Sequence, residues 1–238
     1  MKLDILAFGA HPDDVELGCG ATIAKEVALG KKVGIVDLTQ GELGTRGSAA
    51  LRFEEAAKAK EILGVVVREN LGFADGFFVN DKEHQMAVIK MIRKYQPDIV
   101  LCNAIDDRHI DHPKGSKLVS DACFLSGLLK IETAIDGVPQ EKWRPKQVYH
   151  YIQWKNIAPD FVVDVSGYIE TKEAAVLAYA SQFYDPKSDE PETPITSKNF
   201  TESVRYRAKD LGRLINVDYA EGFTSERYVA VENLSKII

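Results

Sequence analysis

The feature that most constrains this chain is an alternation. Apolar runs too short for ordinary helices are separated by longer segments with helical periodicity. Leu3 to Gly9 (LDILAFG) has the length and character of a buried strand, and a helical pattern follows over Glu16 to Leu29. Val33 to Leu38 (VGIVDL) is a second strand. The polar, glycine-rich TQGELGTRGS then leads into a helix from Ala49 to Leu63. Val65 to Leu71 is a third strand, Lys82 to Tyr95 a helix that stops just before Pro97, Ile99 to Ala104 (IVLCNA) a fourth strand, and His112 to Leu129 the next helix. Strands that are apolar throughout are buried on both faces, and strands joined through helices run parallel with right-handed crossovers. The expected fold is α/β: a Rossmann-like, mostly parallel sheet with helices on both faces, its core occupying residues 1–130.

Residues 131–238 are less regular and read as a C-terminal elaboration of a single domain spanning 1–238. Val148 to Ile152 and Phe161 to Val165 have strand character, and Ile169 to Phe183 and Thr201 to Ile215 have helical character. A short strand is expected near Tyr228 to Val231. Between the two helices, Asp185 to Asn199 (DPKSDEPETPITSKN) reads as a mobile loop or a lid, because its prolines and acids suit neither helix nor strand. A chain of 238 residues can bury about three quarters of its unfolded surface, so it needs no disulfide or structural metal to fold. Cys19, Cys102 and Cys123 are odd in number and read as buried free thiols in a reducing compartment. No basic segment or small-residue cleavage site marks a signal peptide, and no apolar stretch approaches a membrane span, so the expected location is the cytoplasm. With a net charge of -6 and basic residues spread along the chain, neither nucleic acid nor a membrane is an expected partner.

The chemistry concentrates at two strand ends. Ala10-His11-Pro12-Asp13-Asp14 follows the first strand, and Asp106-Asp107-Arg108-His109-Ile110-Asp111-His112 follows the fourth. In an open α/β sheet, ligands collect at the carboxyl ends of the strands near the point where strand order reverses. In the common 3-2-1-4 order the first and fourth strands are neighbours there, and both clusters face one crevice. Imidazole and carboxylate are good zinc ligands, and a catalytic zinc site uses three of them and leaves one position open. The same donors suit other divalent transition metals. The plainer reading makes these residues polar helix caps, with Asp13 or Asp14 as an N-cap. That reading suits either cluster alone better than both together.

AHPDD after the first strand with HxDH after the fourth resembles the zinc-dependent N-acetylglucosaminyl deacetylases of the LmbE/PIG-L type, over nearly the whole chain. HPDDVELGCGATIAK, LTQGE, RENLGF, DRHIDH, AYASQF and YAEGF look closest to the deacetylases of bacillithiol biosynthesis, which act on N-acetylglucosaminyl malate. The resemblance implies one zinc ion per subunit on His11, Asp14 and His112, with Asp13 as general base. It implies further that His109 stabilises the oxyanion or protonates the leaving amine, that Asp111 orients His109, and that Arg52 contacts the sugar. It implies a small-molecule N-acetylated sugar as substrate and a homo-oligomer, often a hexamer. The logic holds in outline without the family, since a metal-bound water and an adjacent carboxylate suffice to attack an amide.

Other residues divide between chemistry and structure. Arg108 suits a planar carboxylate such as malate carries, or else an ion pair with Asp106 or Asp107. Arg52 has the competing reading of a helical pair with Glu55. Gln182 reads as a helix C-terminal polar residue or as a pocket residue, and His84 and His150 receive no role. Ile110 stands where the family often has proline, so a small backbone difference is expected there. Acetylated chitooligosaccharides and inositol glycosides are alternative substrates that the motifs separate poorly. A nucleotide-binding Rossmann protein is the rival from another class. It fits worse: Gly18 and Gly20 are followed by Ile23 where the glycine pattern needs a small residue, and His11, Asp13 and Asp14 occupy the phosphate loop with repelling acids.

Overall fold

The apolar runs form the centre of one sheet, and their side chains alternate between its two faces. A computed structural model describes residues 1–236, so the last two residues of the expected 1–238 unit lie outside the described residues. In chain order the elements are β1 (Ile5–Gly9), α1 (Asp14–Ala28), β2 (Val33–Thr39), α2 (Ala49–Leu63), β3 (Val67–Phe73), α3 (Lys82–Tyr95), β4 (Ile99–Cys102) and α4 (Asp111–Ser126). There follow β5 (Ala134–Ile135), β6 (Val138–Pro139), β7 (Gln147–Tyr151), β8 (Phe161–Asp164), α5 (Ile169–Leu177), α6 (Lys198–Arg213) and β9 (Ala220–Ser225). The main sheet has seven strands in the order β3-β2-β1-β4-β7-β9-β8. β1, β2, β3, β4 and β7 run parallel, while β9 is antiparallel to both β7 and β8.

Strand geometry explains the layers. Along β1, Ile5 and Ala7 enter one core with Val33 and Ile35 of β2, covered by α1, α2 and α5. Leu6 and Phe8 enter the opposite core with Val36 and Leu38, covered by α3 and α4. This is the period-2 alternation of a strand buried on both faces. The 3-2-1-4 order is present, and it sets β1 beside β4 with their carboxyl ends adjacent. Among the described residues, no helix is long and apolar enough to cross a membrane.

Three details differ from the sequence reading. The last strand is β9, Ala220–Ser225, not a segment near Tyr228 to Val231, and Tyr228 is fully exposed. β9 is held on both edges by neighbouring strands, so pairing rather than an apolar run makes it a strand. The helix expected to reach Phe183 ends at Leu177, and the chain then turns so that Tyr179 and Phe183 enter the core. A hairpin unanticipated from the sequence joins β5 to β6 through Asp136 and Gly137, both at positive φ, as a two-residue Asp-Gly turn requires.

One close approach fixes the angle of α1 over the sheet. A Cβ on Gly18 would run into the Tyr151 ring. That ring is fully buried and its hydroxyl donates to the Phe8 carbonyl at 2.9 Å, so it cannot swing aside. Gly18→Ala should therefore cost about 1–3 kcal/mol of stability through overpacking. At roughly 2–4 °C per kcal/mol for a chain of this size, thermal unfolding should show a fall of several degrees.

Candidate active site

The site begins where β1 ends. Directly after it the chain turns sharply enough that Asp13 sits at φ 120°, ψ -22°, a conformation side-chain-bearing residues rarely adopt. Such strain costs on the order of 1–3 kcal/mol and persists only where the surroundings impose it. Here the Asp14 amide donates to the His11 carbonyl at 3.3 Å and the Leu17 amide to the Asp13 carbonyl at 2.9 Å, starting α1 around the strained residue. The expectation of an N-cap side chain fails at Asp13, which makes no capping bond.

Asp14 is the point where the two clusters meet. Its carboxylate accepts from the His11 amide at 2.9 Å, from Asn103 Nδ2 at 2.9 Å, and from Gln153 Nε2. His11 Nδ1 lies 3.5 Å from Asp14 Oδ2, and His112 Nε2 lies 3.1 Å from Asp14 Oδ1. The outer nitrogen of each ring is held by other carboxylates. His11 Nε2 is 3.0 Å from Asp75 and 3.4 Å from Asp111, and His112 Nδ1 is 2.9 Å from Asp107. Ligating histidines are held in this way, with the far nitrogen on a carboxylate and the near one turned to the metal. Two donors on one zinc at about 2.0–2.2 Å stand roughly 3.3–3.6 Å apart, close to the 3.5 Å from His11 to Oδ2 and the 3.1 Å from His112 to Oδ1 of Asp14. His11, Asp14 and His112 could hold one ion. His109 is near enough to join: its ring centroid is 4.5 Å from that of His11 and 5.1 Å from that of His112, and the three histidines can bring ligand nitrogens within 4.8 Å of one another.

Charge supports the same conclusion. Burial pulls His112 down, but Asp14 and Asp107 outweigh it and hold the ring at about 9. His11 is likewise raised, against its burial, by Asp111, Asp14 and Asp75. Asp14 and Asp111 are held below the usual carboxylate range by the histidines, although burial opposes this. The acids therefore call for positive charge between them, which protons or a metal dication can supply. His109 differs. Burial and the neighbouring His11 and His112 depress it, so it is neutral. The Asp111 amide donates to its Nδ1 at 3.3 Å, which leaves the proton of the neutral ring on Nε2. Asp13 is pushed up to about 7 by burial, with the Arg52 charge opposing the rise.

The geometry revises one expected role. Asp111 does not aim its carboxylate at His109. It faces His11, accepts from the Gly76 amide at 2.7 Å and pairs with Lys114 at 2.7 Å, and only its backbone reaches His109. The reason is that Asp111 opens α4, where its side chain turns back toward the loop after β3. Ile110 has φ -62°, the value proline would impose, so the backbone path at that position is one proline could follow.

The arginines resolve differently. Arg52 is buried, and its Nη2 donates to Gln182 Oε1, while Glu55 turns away to accept from Ser181. The guanidinium lies so close to Gly41 that a Cβ there would collide with Nη1, which is why the loop after β2 carries glycine at that point. Arg108 is exposed and stacks 4.5 Å above the Trp154 ring. Its expected acidic partners are engaged elsewhere, Asp106 with Lys155 and Asp107 with His112. All eight expected site residues except Asp111 line one cavity of about 470 Å³, and Asp111 sits behind His11. Thr193, Pro194 and Ile195, from the segment read as a loop or lid, form part of its wall. His150 is buried against Ser116 and Cys102, away from this cavity.

Four supporting residues escaped the sequence reading: Asp75, Asn103, Asp107 and Gln153. Asp107 carried a signal, being inside the second cluster, but was weighed only as a partner for Arg108. Asp75, Asn103 and Gln153 are isolated polar residues beside strand ends, with nothing in local sequence to connect them to His11 or Asp14.

The family model for PIG-L, GlcNAc-PI de-N-acetylase, matches residues 6–123, which hold both clusters. The diacetylchitobiose deacetylase of Thermococcus kodakarensis is 30% identical over 191 residues, covering 75% of this chain and 70% of that protein. This chain belongs to the PIG-L family. Among solved structures, the conserved protein TT1542 from Thermus thermophilus matches this PIG-L chain with a TM-score of 0.86 and 37% identity, over 98% of this chain and 99% of the other. The N,N'-diacetylchitobiose deacetylase from Pyrococcus horikoshii matches with a TM-score of 0.78 and 25% identity, over 97% of this chain and 87% of the other. The PIG-L fold therefore extends through the C-terminal elaboration, beyond the segment that the family model covers.

Two outcomes are expected. Asp107 accepts from His112 Nδ1 and from the amides of Arg108, Trp154 and Lys155. Asp107→Asn would turn a donor against one of these donors, so metal affinity should fall roughly 10–100-fold in chelator competition. In the metal-free protein the raised carboxyl of Asp13 makes stability fall as pH rises from its unfolded value near 4 through about 7, because the native state holds the proton longer. Asp13→Asn should accordingly raise the melting temperature more at pH 8 than at pH 5.

Proposed function

We propose that this chain is a zinc-dependent hydrolase that removes the acetyl group from an N-acetylglucosamine glycoside, with N-acetylglucosaminyl malate, the bacillithiol precursor, as its substrate. The observation that carries the hydrolytic reading is the arrangement about Asp14. Two imidazoles turn their free nitrogens toward one buried carboxylate, while Asp13 and His109 stand beside them with no part in that triad. A bound zinc ion brings the pKa of water toward about 7 and polarises a carbonyl. The residues of the chain do the rest. Asp13, beside His11 and Asp14 on the cavity wall and unbonded at its carboxylate, takes the proton of the attacking water and returns it to the departing amine. His109, neutral and with its proton on Nε2, donates to the carbonyl oxygen as negative charge develops there. Arg52, fixed by Gln182 and the Gly41 turn, is placed to hold the sugar hydroxyls and to limit how far Asp13 is neutralised.

What supports the amide and sugar chemistry is the family and its deacetylase relatives. What supports malate is the set of motifs shared with the bacillithiol deacetylases together with the guanidinium groups at the cavity. Acetylated chitooligosaccharides stay in the assay as competitors, since relatives at 30% and 25% identity are named for diacetylchitobiose.

Dialysis against a chelator should abolish deacetylation, and one equivalent of zinc per chain should restore it. His112→Ala and Asp14→Ala should lose bound metal and turnover together. Asp13→Asn should keep the metal and lose turnover. A His112→Ala enzyme with full zinc content and normal rate would overturn the ligand set. In parallel, kcat/KM for N-acetylglucosaminyl malate should exceed that for N-acetylglucosamine and diacetylchitobiose. A preference for diacetylchitobiose would replace the malate assignment while leaving the hydrolase reading intact.

A further inference from the structure

The cavity reaches well past the metal ligands, and its far wall is one face of α6. Phe200, Ser203, Val204, Arg207, Ala208 and Leu211 line it at helical spacing, so Arg207 is the single charge that this helix presents to the cavity. Arg207 is half-buried and its bonded partners are neutral: Nη1 donates to the Gln153 carbonyl and Nη2 to the Lys155 carbonyl at 3.5 Å. No carboxylate pairs with it among the described residues. The acid whose charge acts on it, Asp107, is occupied by His112 and three backbone amides. Burial accordingly pulls Arg207 below the ordinary arginine value. A guanidinium has five N–H donors, so the two carbonyl bonds leave others free. A partly desolvated cation without a counter-charge is costly, and an anionic ligand relieves that cost.

Arg108 meets the same three-residue segment at the Trp154 side chain. Its guanidinium lies over the Trp154 ring, and that ring is itself stacked on Phe200 of α6, with centroids 5.2 Å apart and planes within 20°. Trp154 is thus flanked by one arginine on its ring and another on the carbonyls of its two neighbours. The segment is anchored to the reacting end of the cavity as well. Gln153 bonds Asp14, and the Trp154 and Lys155 amides bond Asp107, which holds His112. Lys155 is paired with Asp106 and Lys172 with Glu221, while Arg52, the third arginine of the cavity, is held by Gln182.

We propose that Arg207 and Arg108, flanking Trp154, form a subsite for a carboxylate-bearing aglycone, with Arg207 as the principal determinant of selectivity for a dicarboxylic acid over a neutral group. This rests on the deacetylase reading above. Planar carboxylates suit guanidinium forks, and a dicarboxylate offers one group to each. The acetamido group then lies at the metal end while the aglycone lies against α6.

The test is a selectivity ratio, kcat/KM for N-acetylglucosaminyl malate divided by kcat/KM for methyl N-acetylglucosaminide, in zinc-loaded enzyme. Arg207→Gln should lower the ratio roughly ten- to hundredfold, the range for one charge-assisted hydrogen bond, with the change in KM for the malate glycoside. Arg207→Lys should restore part of it, since an ammonium keeps the charge without the fork. Competitive inhibition by free malate should weaken in Arg207→Gln by a similar factor. If Arg207→Gln does not fold, as judged by circular dichroism, the Arg207→Lys ratio and malate inhibition are read alone, and wild-type values there overturn the proposal. A wild-type enzyme with a high ratio that Arg207→Gln leaves unchanged overturns the subsite alone, making Arg207 a brace for the Gln153–Lys155 segment. A wild-type enzyme with a ratio at or below one, still active on the neutral glycoside, overturns the malate reading and the subsite with it.

Discussion

The carboxylate of Asp14 is the interaction on which the rest of the site depends. Three strand ends reach it: β1 through the His11 amide, β4 through Asn103, and β7 through Gln153. None of these bonds is chemistry in itself. Together they fix where the first turn of α1 begins, and they leave His11 and His112 facing a single point. A buried carboxylate with so many donors cannot relax without stranding one of them, and a stranded buried donor costs about 1–3 kcal/mol. The parallel order that sets β1 beside β4 is thus converted, through one side chain, into a coordination geometry.

The neighbouring Asp13 shows what that rigidity makes possible. Asp14 and the start of α1 are held so firmly that Asp13 is carried into a backbone conformation unfavourable for it and into a buried position that resists ionisation. Both are destabilising, and both suit the proton acceptor proposed for this position. In the metal-free protein burial raises this carboxyl to about 7, far above an exposed aspartate. The two adjacent aspartates are therefore set apart by environment. Asp14 is kept ionised by the histidines, and Asp13 is kept close to neutral by burial, with Arg52 limiting the rise.

Much of this was legible in the sequence, and the reason is local. The apolar runs of β1, β2 and β4 and the helices between them carry their own periodicity, so the α/β order and the adjacency of the two clusters could be read directly. The motif histidines and aspartates lie within short stretches at strand ends, where sequence neighbours remain spatial neighbours. What escaped depends on long-range pairing. β9 is a strand because β7 and β8 flank it, although AEGFTS has little apolar content. Asp75 reaches His11 across 64 positions and Gln153 reaches Asp14 across 139, and no local pattern announces either. Asp111 was misassigned for a related reason. The resemblance implied a partnership with His109, whereas the first turn of α4 directs its carboxylate toward His11 and Lys114.

The C-terminal elaboration then has a definite physical role. The parallel strands and their loops supply one side of a crevice, which alone would leave His11, Asp14 and His112 open to water. β9 and α6 supply the opposite side, and their attachment is built into the core. Glu221 of β9 accepts from the amides of Ala21 and Thr22 at 3.2 and 2.7 Å, just past the break in α1 at Cys19, and pairs with the buried Lys172 of α5. The helix that begins at Asp14 is therefore tied, two turns later, to the strand that positions the far wall. On the proposed reading, a substrate held between them would meet side chains from the parallel half at its reacting end and α6 at its other end. On that reading, changes in the α6 face would alter which aglycone is accepted while the bonds around Asp14 stay as they are, because Arg207 of α6 meets the Gln153–Lys155 segment at its backbone carbonyls and Asp14 meets it at the Gln153 side chain.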